Sequence, residues 1–359
     1  LSRILLWWRN RDKSQRALAA LDDEEARCLS EAGQRIRREV LACNRAAETI
    51  RLTQPANRIF IRPWGSAISP RGDMPKHRVP STGGRFSMSA VNKISPEKLS
   101  RLIGTPKSPA LIDVRTDEDF AANPKLVPGS VRRPFAEVTA WAAEFSGKSA
   151  VAICDKGLKL SEGAAAWLRQ EGIPAEILDG GIQGWKKAAL PLADPSKLPP
   201  RDAKGRTVWV TRSRPKIDRI ACPWLIRRFL DPNAAFLFVT PAEVKAVASK
   251  FGGVPFDIED TFWSHRGELC TFDVLIEEFG IATGPLLHLA KIVRGADTGR
   301  LDLAPEAAGL LAASLGLSRM YADDLEQLEA GMGLYDAFYR WCRDATEETH
   351  GWTSHKASV

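Results

Sequence analysis

Apolar positions change their spacing along the chain, and the changes divide it. Over 14–47, Ala17, Leu18, Leu21, Leu29, Ile36, Val40 and Leu41 recur at helical spacing, broken by the acidic run 22–25 and by Gly33, which predicts a helical pair. From 53 to 87 Pro, Gly, Ser and Arg dominate with no periodic apolar face, the composition of a flexible linker. Met88 immediately precedes the first segment with a folded pattern, so one expectation is a native start there with an upstream extension. Beyond it, 109–114 (PALIDV) and 149–154 (SAVAIC) are continuous apolar runs, as expected of strands buried on both faces of a parallel sheet. An amphipathic helix at 161–170, a strand at 175–178 closed by Gly180 and Gly181, and a helix from 182 to 187 complete a βαβ pattern.

A second linker, stiffened by prolines, covers 196–204. After it come predicted strands at 208–211, 235–239 and 255–258 with a helix at 241–251, and then helices at 271–279, 285–293, 305–315 and 323–342. The expected organisation is a basic helical extension (1–50), a flexible linker (51–88), an α/β domain with a parallel sheet and flanking helices (89–195), the linker 196–204, and a mixed α/β to mainly helical second domain (205–353). A length of 359 residues agrees with more than one hydrophobic core.

Charge changes this picture less than its total suggests. The net +7 is concentrated in residues 1–87, which hold 17 Lys/Arg against 9 Asp/Glu, while 88–359 hold 34 against 35. Nucleic-acid binding would therefore rest on the basic N-terminal arm, and a solvated tail is the plainer reading; no helix-turn-helix or zinc-finger signature supports direct DNA reading. The early apolar run 4–8 is too short for a signal peptide or a membrane span, so the expectation is a cytoplasmic protein without a membrane span. Six scattered cysteines with no CxxC pair point to reduced thiols.

Cys154 carries the clearest chemistry. It ends a buried strand and is followed by Asp155, Lys156, Gly157, Leu158 and Lys159 before a helix. Backbone N–H groups, a helix N-terminus and two lysines all favour an anion there, which suits a thiolate or a persulfide. Gly157 permits the tight turn. Asp155 opposes this field and is expected to point away or to pair with a lysine. A cysteine phosphatase would need an arginine six residues after the cysteine to grip phosphate, and that position is Leu160. A buried, inert cysteine in a docking module is the plain alternative.

Here the chain resembles the rhodanese family, through LIDVR at 111–115, the continuation 118–120, PGS at 128–130, CDKGLK at 154–159 and GGIQGW at 180–185. The resemblance implies a rhodanese-type fold and a sulfurtransferase that needs no cofactor for sulfur transfer. Cys154 would form the persulfide, Lys156, Gly157 and Lys159 would face the anionic donor, and Asp113 and Arg115 would support the loop or form a structural ion pair. Its partners would be a sulfane sulfur donor, such as thiosulfate, and a thiol acceptor. The sequence departs from the family at 125–127, where a histidine is common, and at Asp155 and Lys159, where arginine is common; these departures bear on donor preference and not on fold.

Most of 205–353 resembles the C-terminal domain of bacterial chromate-resistance proteins, through 209–229, PFDIE at 255–259, WSHRGELCTFD at 263–273, IVRGADTG at 292–299 and GLYDAFYRW at 333–341. That resemblance implies a part in chromate tolerance. From the residues themselves, Arg212, Arg214, Lys216 and Arg219 follow a strand and could bind a tetrahedral dianion such as chromate or sulfate, or form a solvated basic loop. Asp218, Glu259 and His265 are candidate ligands for a metal ion, with Asp273 and His288 as further oxygen and nitrogen donors. Asp273 could equally complement a helix dipole, and His288 could be a core histidine. Cys222 and Cys270 each precede an apparent helix start that would favour a thiolate, unless the first helix begins near Ile217 and buries Cys222. The functional expectation is a sulfurtransferase joined to a domain that recognises an oxyanion or a metal. Its rival is a non-catalytic chromate-responsive sensor in which the first domain is scaffolding.

Overall fold

The computed structural model describes residues 92–348; the helical pair and linker expected before Met88 lie outside the described residues. Strands β1 (Lys93–Ile94), β2 (Ala110–Asp113), β3 (Ser130–Arg132), β4 (Ala150–Ile153) and β5 (Ala175–Leu178) form one parallel sheet in the order β1-β5-β4-β2-β3. Strand residues alternate between the two faces. Leu111, Val151, Ile153 and Leu178 face α1 (Pro96–Leu102) and α5 (Gly181–Lys187), which bring Leu99, Ile182 and Trp185. Ile112, Ala150, Ala152 and Ile177 face α3 (Val138–Trp141) and α4 (Lys159–Gln170). Helix α2 (Asp117–Ala122) connects β2 to β3, and Thr116 caps it by accepting the Asp119 N–H at 3.1 Å.

The second half begins with a three-stranded parallel sheet, β6 (Val208–Arg212) flanked by β7 (Ala235–Val239) and β8 (Val254–Pro255). Helices α6 (Asp218–Phe229) and α7 (Val244–Lys250) connect its strands. Four helices follow: α8 (Thr271–Phe279), α9 (Gly284–Asp297), α10 (Ala307–Met320) and α11 (Asp324–Asp344). This is a parallel-sheet α/β layer with flanking helices, followed by a mixed and then helical region.

Two local expectations change. The strand expected at 255–258 stops at Pro255, because Asp257 has φ of +52°, outside the β region. The helix expected at 241–251 opens as a 3₁₀ turn, Pro241–Glu243. Of the two starts open to the helix around Cys222, the structure has the earlier one: α6 begins at Asp218 with Ile217 before it, and it tolerates Pro223 in its second turn, so Cys222 is enclosed within a helix.

The two halves share a core. Buried apolar side chains run without a break from Leu99, Ile103, Val127 and Trp185 to Phe229, Phe279 and Tyr339. Backbone bonds cross the boundary as well: the Gly129 N–H donates to the Phe229 carbonyl at 2.6 Å, and the Asp194 N–H to the Phe279 carbonyl at 3.0 Å. Gly104 has φ of +77°, and a β-carbon there would lie 2.4 Å from the Phe229 ring and 2.6 Å from the Tyr339 ring. Both rings are buried and cannot withdraw freely.

Gly104→Ala should therefore lose about 2–4 kcal/mol of stability, from left-handed strain plus overpacking. Gly147 provides the control, since it has the same φ of +77° with nothing within 4 Å of a β-carbon. Gly147→Ala should lose only the strain, about 1–2 kcal/mol. Denaturant unfolding of the full chain reads both; equal losses would mean that the rings at Gly104 are not tightly packed.

Candidate functional site

Cys154 follows the fully buried strand β4 and lies at the C-terminal end of the parallel sheet, where open α/β sheets place their ligands. The chain then turns sharply. Gly157 has φ of +66°, and a β-carbon there would sit 2.5 Å from the Leu178 carbonyl oxygen and 2.8 Å from the Gly181 nitrogen, so no side chain fits. The first turn of α5 supports the loop from below, the Ile182 N–H donating to the Cys154 carbonyl and the Gln183 N–H to the Asp155 carbonyl, each at 3.0 Å. The partner of Asp155, which lines the same cleft as Cys154, is the Gln183 side-chain amide at 2.7 Å rather than a lysine.

Two groups touch the sulfur directly. The Leu158 N–H donates to Sγ at 3.4 Å, and Ser161 Oγ lies 3.2 Å from it. Ser161, wholly buried in the first turn of α4, escaped the sequence reading, which stopped at the loop lysines. Cys154 itself is 4% exposed. It borders an open cleft of about 510 Å³ that is also lined by Asp119, Lys156, Leu158 and Lys159. Lys156 and Lys159 are both exposed.

Asp113 and Arg115 form a fully buried ion pair at 2.5 Å. Arg115 also donates to the carbonyls of Asn123 at 2.9 Å and Lys125 at 2.7 Å, which ties the α2–β3 connection to the end of β2. Next to it the Val114 N–H donates to the Ile153 carbonyl at 2.8 Å, steadying the strand end that presents Cys154. Trp185 is core, its indole N–H satisfied by the Pro191 carbonyl at 2.8 Å.

In the second half the three arginines part company. Arg212 Nη2 and Arg219 Nε lie 3.0 and 3.3 Å from Asp257 Oδ2. Arg214 instead reaches the C-terminal end of α10, donating to the carbonyls of Ser318 and, at 3.0 Å, Tyr321. Lys216 is exposed. The trio does not converge, and the two arginines that do meet a carboxylate.

A different cluster forms beside that carboxylate. His265 Nε2 lies 3.2 Å from Asp297 Oδ2, 3.4 Å from Asp257 Oδ1 and 3.6 Å from Asp218 Oδ2. Asp218 opens α6 and is entirely buried; its Oδ2 accepts the Thr271 N–H at 2.6 Å, and its Oδ1 has no partner. Burial, with the charges of Asp297 and Asp257, pushes the Asp218 carboxyl well above the ordinary range. Hydrogen bonds to Asp257 and Asp297 raise His265 to about 10. Burial works to raise Asp257 too, but His265, Arg212 and Arg219 outweigh it and hold that carboxyl low.

Of the three expected metal ligands, the structure unites Asp218 and His265. Glu259 is exposed and lies outside the cluster, on the turn that follows Asp257, and Asp257 takes the inward position. Asp257 and Asp297 lie inside two of the sequence motifs, PFDIE and IVRGADTG, which was the one available signal. Asp273 completes a capping box, accepting the Cys270 N–H at 3.1 Å and pairing with Arg294 at 3.1 Å. His288 packs against Trp341 with ring centres 5.3 Å apart. Burial pushes the Cys222 and Cys270 thiols well up, opposite to the lowering expected of a helix terminus.

Residues 95–188 match the family model for the rhodanese-like domain, and residues 209–342 match that for the ChrB C-terminal domain. A protein named Protein ChrB from Cupriavidus metallidurans is 32% identical over 151 residues, 42% of this chain and 43% of that protein; the chain thus spans less than half of that relative. A protein named Sulfurtransferase from Allochromatium vinosum is 29% identical over 107 residues, 29% of this chain and 97% of that protein. Among solved structures, a rhodanese-like domain protein from Staphylococcus aureus is similar at 24% identity, over 26% of this chain and 90% of that one, with a TM-score of 0.24. No helix among the described residues is long and apolar enough to cross a membrane. The chain combines a rhodanese-like domain, at 95–188, with the ChrB C-terminal domain, at 209–342.

Proposed function

We propose that the protein is a rhodanese-type sulfurtransferase in which Cys154 carries sulfane sulfur as a persulfide. The observation that carries this reading is the position of the Cys154 sulfur, which borders an open cleft while contacting the Leu158 N–H and Ser161 Oγ. With thiosulfate as donor, the Cys154 thiolate attacks the outer sulfur, the sulfur–sulfur bond of thiosulfate breaks, and sulfite leaves with the bonding pair. An acceptor thiolate then attacks the outer sulfur of the persulfide, which returns Cys154 as a thiolate and leaves the sulfur on the acceptor. Both steps place negative charge on sulfur beside the α4 N-terminus, where the Leu158 N–H stabilises it. Ser161 now donates to the Leu158 carbonyl at 3.0 Å and can rotate its hydroxyl toward an anionic sulfur. Lys156 and Lys159 draw an anionic donor into the cleft.

In this reading the ChrB C-terminal domain is the recognition module of the pair. Asp257 pairs with both Arg212 and Arg219, and the carboxylates of Asp218, Asp257 and Asp297 all approach His265, which supports a cation rather than chromate or sulfate as the ligand of this pocket.

Mass spectrometry after exposure to thiosulfate should find one added sulfur on Cys154, and Cys154→Ser should remove both the adduct and the turnover while the protein stays folded. Full activity in that variant would exclude Cys154 from the mechanism. Lys159→Glu should lower kcat/KM for thiosulfate about tenfold by reversing charge beside a dianion, an effect that shrinks with added salt. Kinetics unchanged at low salt would place Lys159 away from the donor. Ser161→Ala should lower turnover about tenfold or more, the scale of one lost hydrogen bond to a charged group; wild-type rates would mean that Ser161 only packs.

A further inference from the structure

The strongest unexplained feature lies far in sequence from Cys154. Four segments bring Asp218, Asp257, His265 and Asp297 together: the start of α6, the chain after β8, the loop before α8, and the end of α9. Protein–protein hydrogen bonding does not account for them. His265 presents one ring nitrogen to three carboxylate oxygens, and one N–H satisfies one acceptor well. Asp218 and Asp297 have no ion-pair partner among the described residues except His265. Asp218 is wholly enclosed, and its Oδ1 has no hydrogen-bond partner. A buried carboxylate oxygen with nothing to accept from is costly, and it marks a place where another group belongs.

The spacing suits a metal ion. Ligand atoms about 2.1 Å from a common ion lie roughly 3.0–3.4 Å apart, whether the arrangement is octahedral or tetrahedral. The three contacts at His265 Nε2 span 3.2–3.6 Å. Ligand atoms from Asp218, Asp257 and His265 all lie within 4.8 Å of one another. The His265 side chain is 41% exposed, which leaves a route in from solvent and room for water to fill remaining positions.

We propose that Asp218, Asp257 and His265, with Asp297 beside them, form a binding site for one divalent first-row metal ion of the Mn2+ class. Two carboxylate oxygens and one imidazole, with a third carboxylate next to them and water to complete the shell, make a mostly hard donor set, suited to Mn2+ or Fe2+ and unlike the thiolate-rich sites that select Zn2+ or Cu+. The two neighbouring thiols do not compete: Cys222 is buried within α6, and Cys270 caps α8 with Sγ donating to Asp273 at 3.2 Å. A divalent ion offsets the two carboxylates that lack an arginine, while Asp257 is held from behind by Arg212 and Arg219. This deepens the reading of the C-terminal domain as a recognition module and is independent of sulfur chemistry at Cys154.

The test uses the full chain, stripped with a chelator and titrated with MnCl2. Calorimetry should give one ion per chain at micromolar concentrations, with the free-Mn2+ resonance signal disappearing in step. Pulsed resonance of the bound ion should show a single imidazole nitrogen, and His265→Ala should abolish that coupling. Asp297→Asn and His265→Ala should each weaken binding about tenfold or more, whereas the exposed Glu259→Gln should leave it unchanged. Circular dichroism establishes that both weakened variants are folded, which matters because the wholly buried Asp218 is a poor position to substitute. No Mn2+ binding by the folded wild-type chain would overturn the proposal, and so would binding that survives in both Asp297→Asn and His265→Ala. Cys154→Ser should bind Mn2+ like the wild type, so failure of the metal site and failure of the sulfurtransferase reading remain distinguishable.

Discussion

Helix α6 is the constraint on which both halves depend. Most of its twelve residues are buried, and at 1.5 Å per residue it extends about 18 Å. Its first residue supplies the enclosed carboxylate of the acidic cluster, and its last residue accepts the Gly129 N–H of the rhodanese-like domain. Between them Trp224 packs against Phe272, Tyr335 and Tyr339. Asp336 of α11 accepts from the Trp224 indole at 2.9 Å and from Arg228 at 2.8 and 2.7 Å, which gives an otherwise apolar contact a fixed register. A helix buried on nearly every side has little freedom to slide, so the positions of its two ends are set together.

The shared boundary also determines which end of the rhodanese-like sheet stays open. Gly104 and Gly129, which meet Phe229 and Tyr339, precede β2 and β3 and so stand at the N-terminal end of a parallel sheet. Cys154 follows β4 at the opposite end. The packing that joins the halves therefore leaves the cysteine loop beside its own cleft, supported from below by the α5 N-terminus. Covering one end and presenting the other is how a parallel sheet combines a rigid base with a reactive loop.

What could be read beforehand follows from how local each feature is. The buried strands at 110–113 and 150–153 announce themselves as short apolar runs, and the cysteine loop is contiguous from Cys154 to Lys159, so strand, turn and candidate nucleophile appear in one stretch of sequence. The acidic cluster is assembled from four distant segments, and nothing local separates Asp257 from Glu259. The difference is backbone: φ of +52° at Asp257 turns one carboxylate inward and leaves the other on an exposed turn. Arg214 reads as a neighbour of Arg212 and Arg219, yet its own φ of +57° sends it to the end of α10. Cys222 looked like a residue before a helix because Pro223 is commoner at a helix start than inside one; tertiary burial of the whole segment overrode that preference.

Asp257 is the residue at which the opposing charges of the second half meet. One oxygen faces Arg212 and Arg219, and the other lies 3.2 Å from the Thr271 hydroxyl and 3.4 Å from His265. Burial lowers the Arg219 pKa, and the carboxylate of Asp257 opposes that shift. An oxyanion placed on these arginines would have to displace Asp257 and would then face Asp218 and Asp297 across a poorly screened interior. A cation on the other side would meet the reverse situation: the carboxylates attract it, and the arginines hold Asp257 through its other oxygen. Asp257 thus stands between two sets that the sequence does not separate: its Oδ2 holds Arg212 and Arg219, and its Oδ1 lies on the side where Asp218 and Asp297 approach His265.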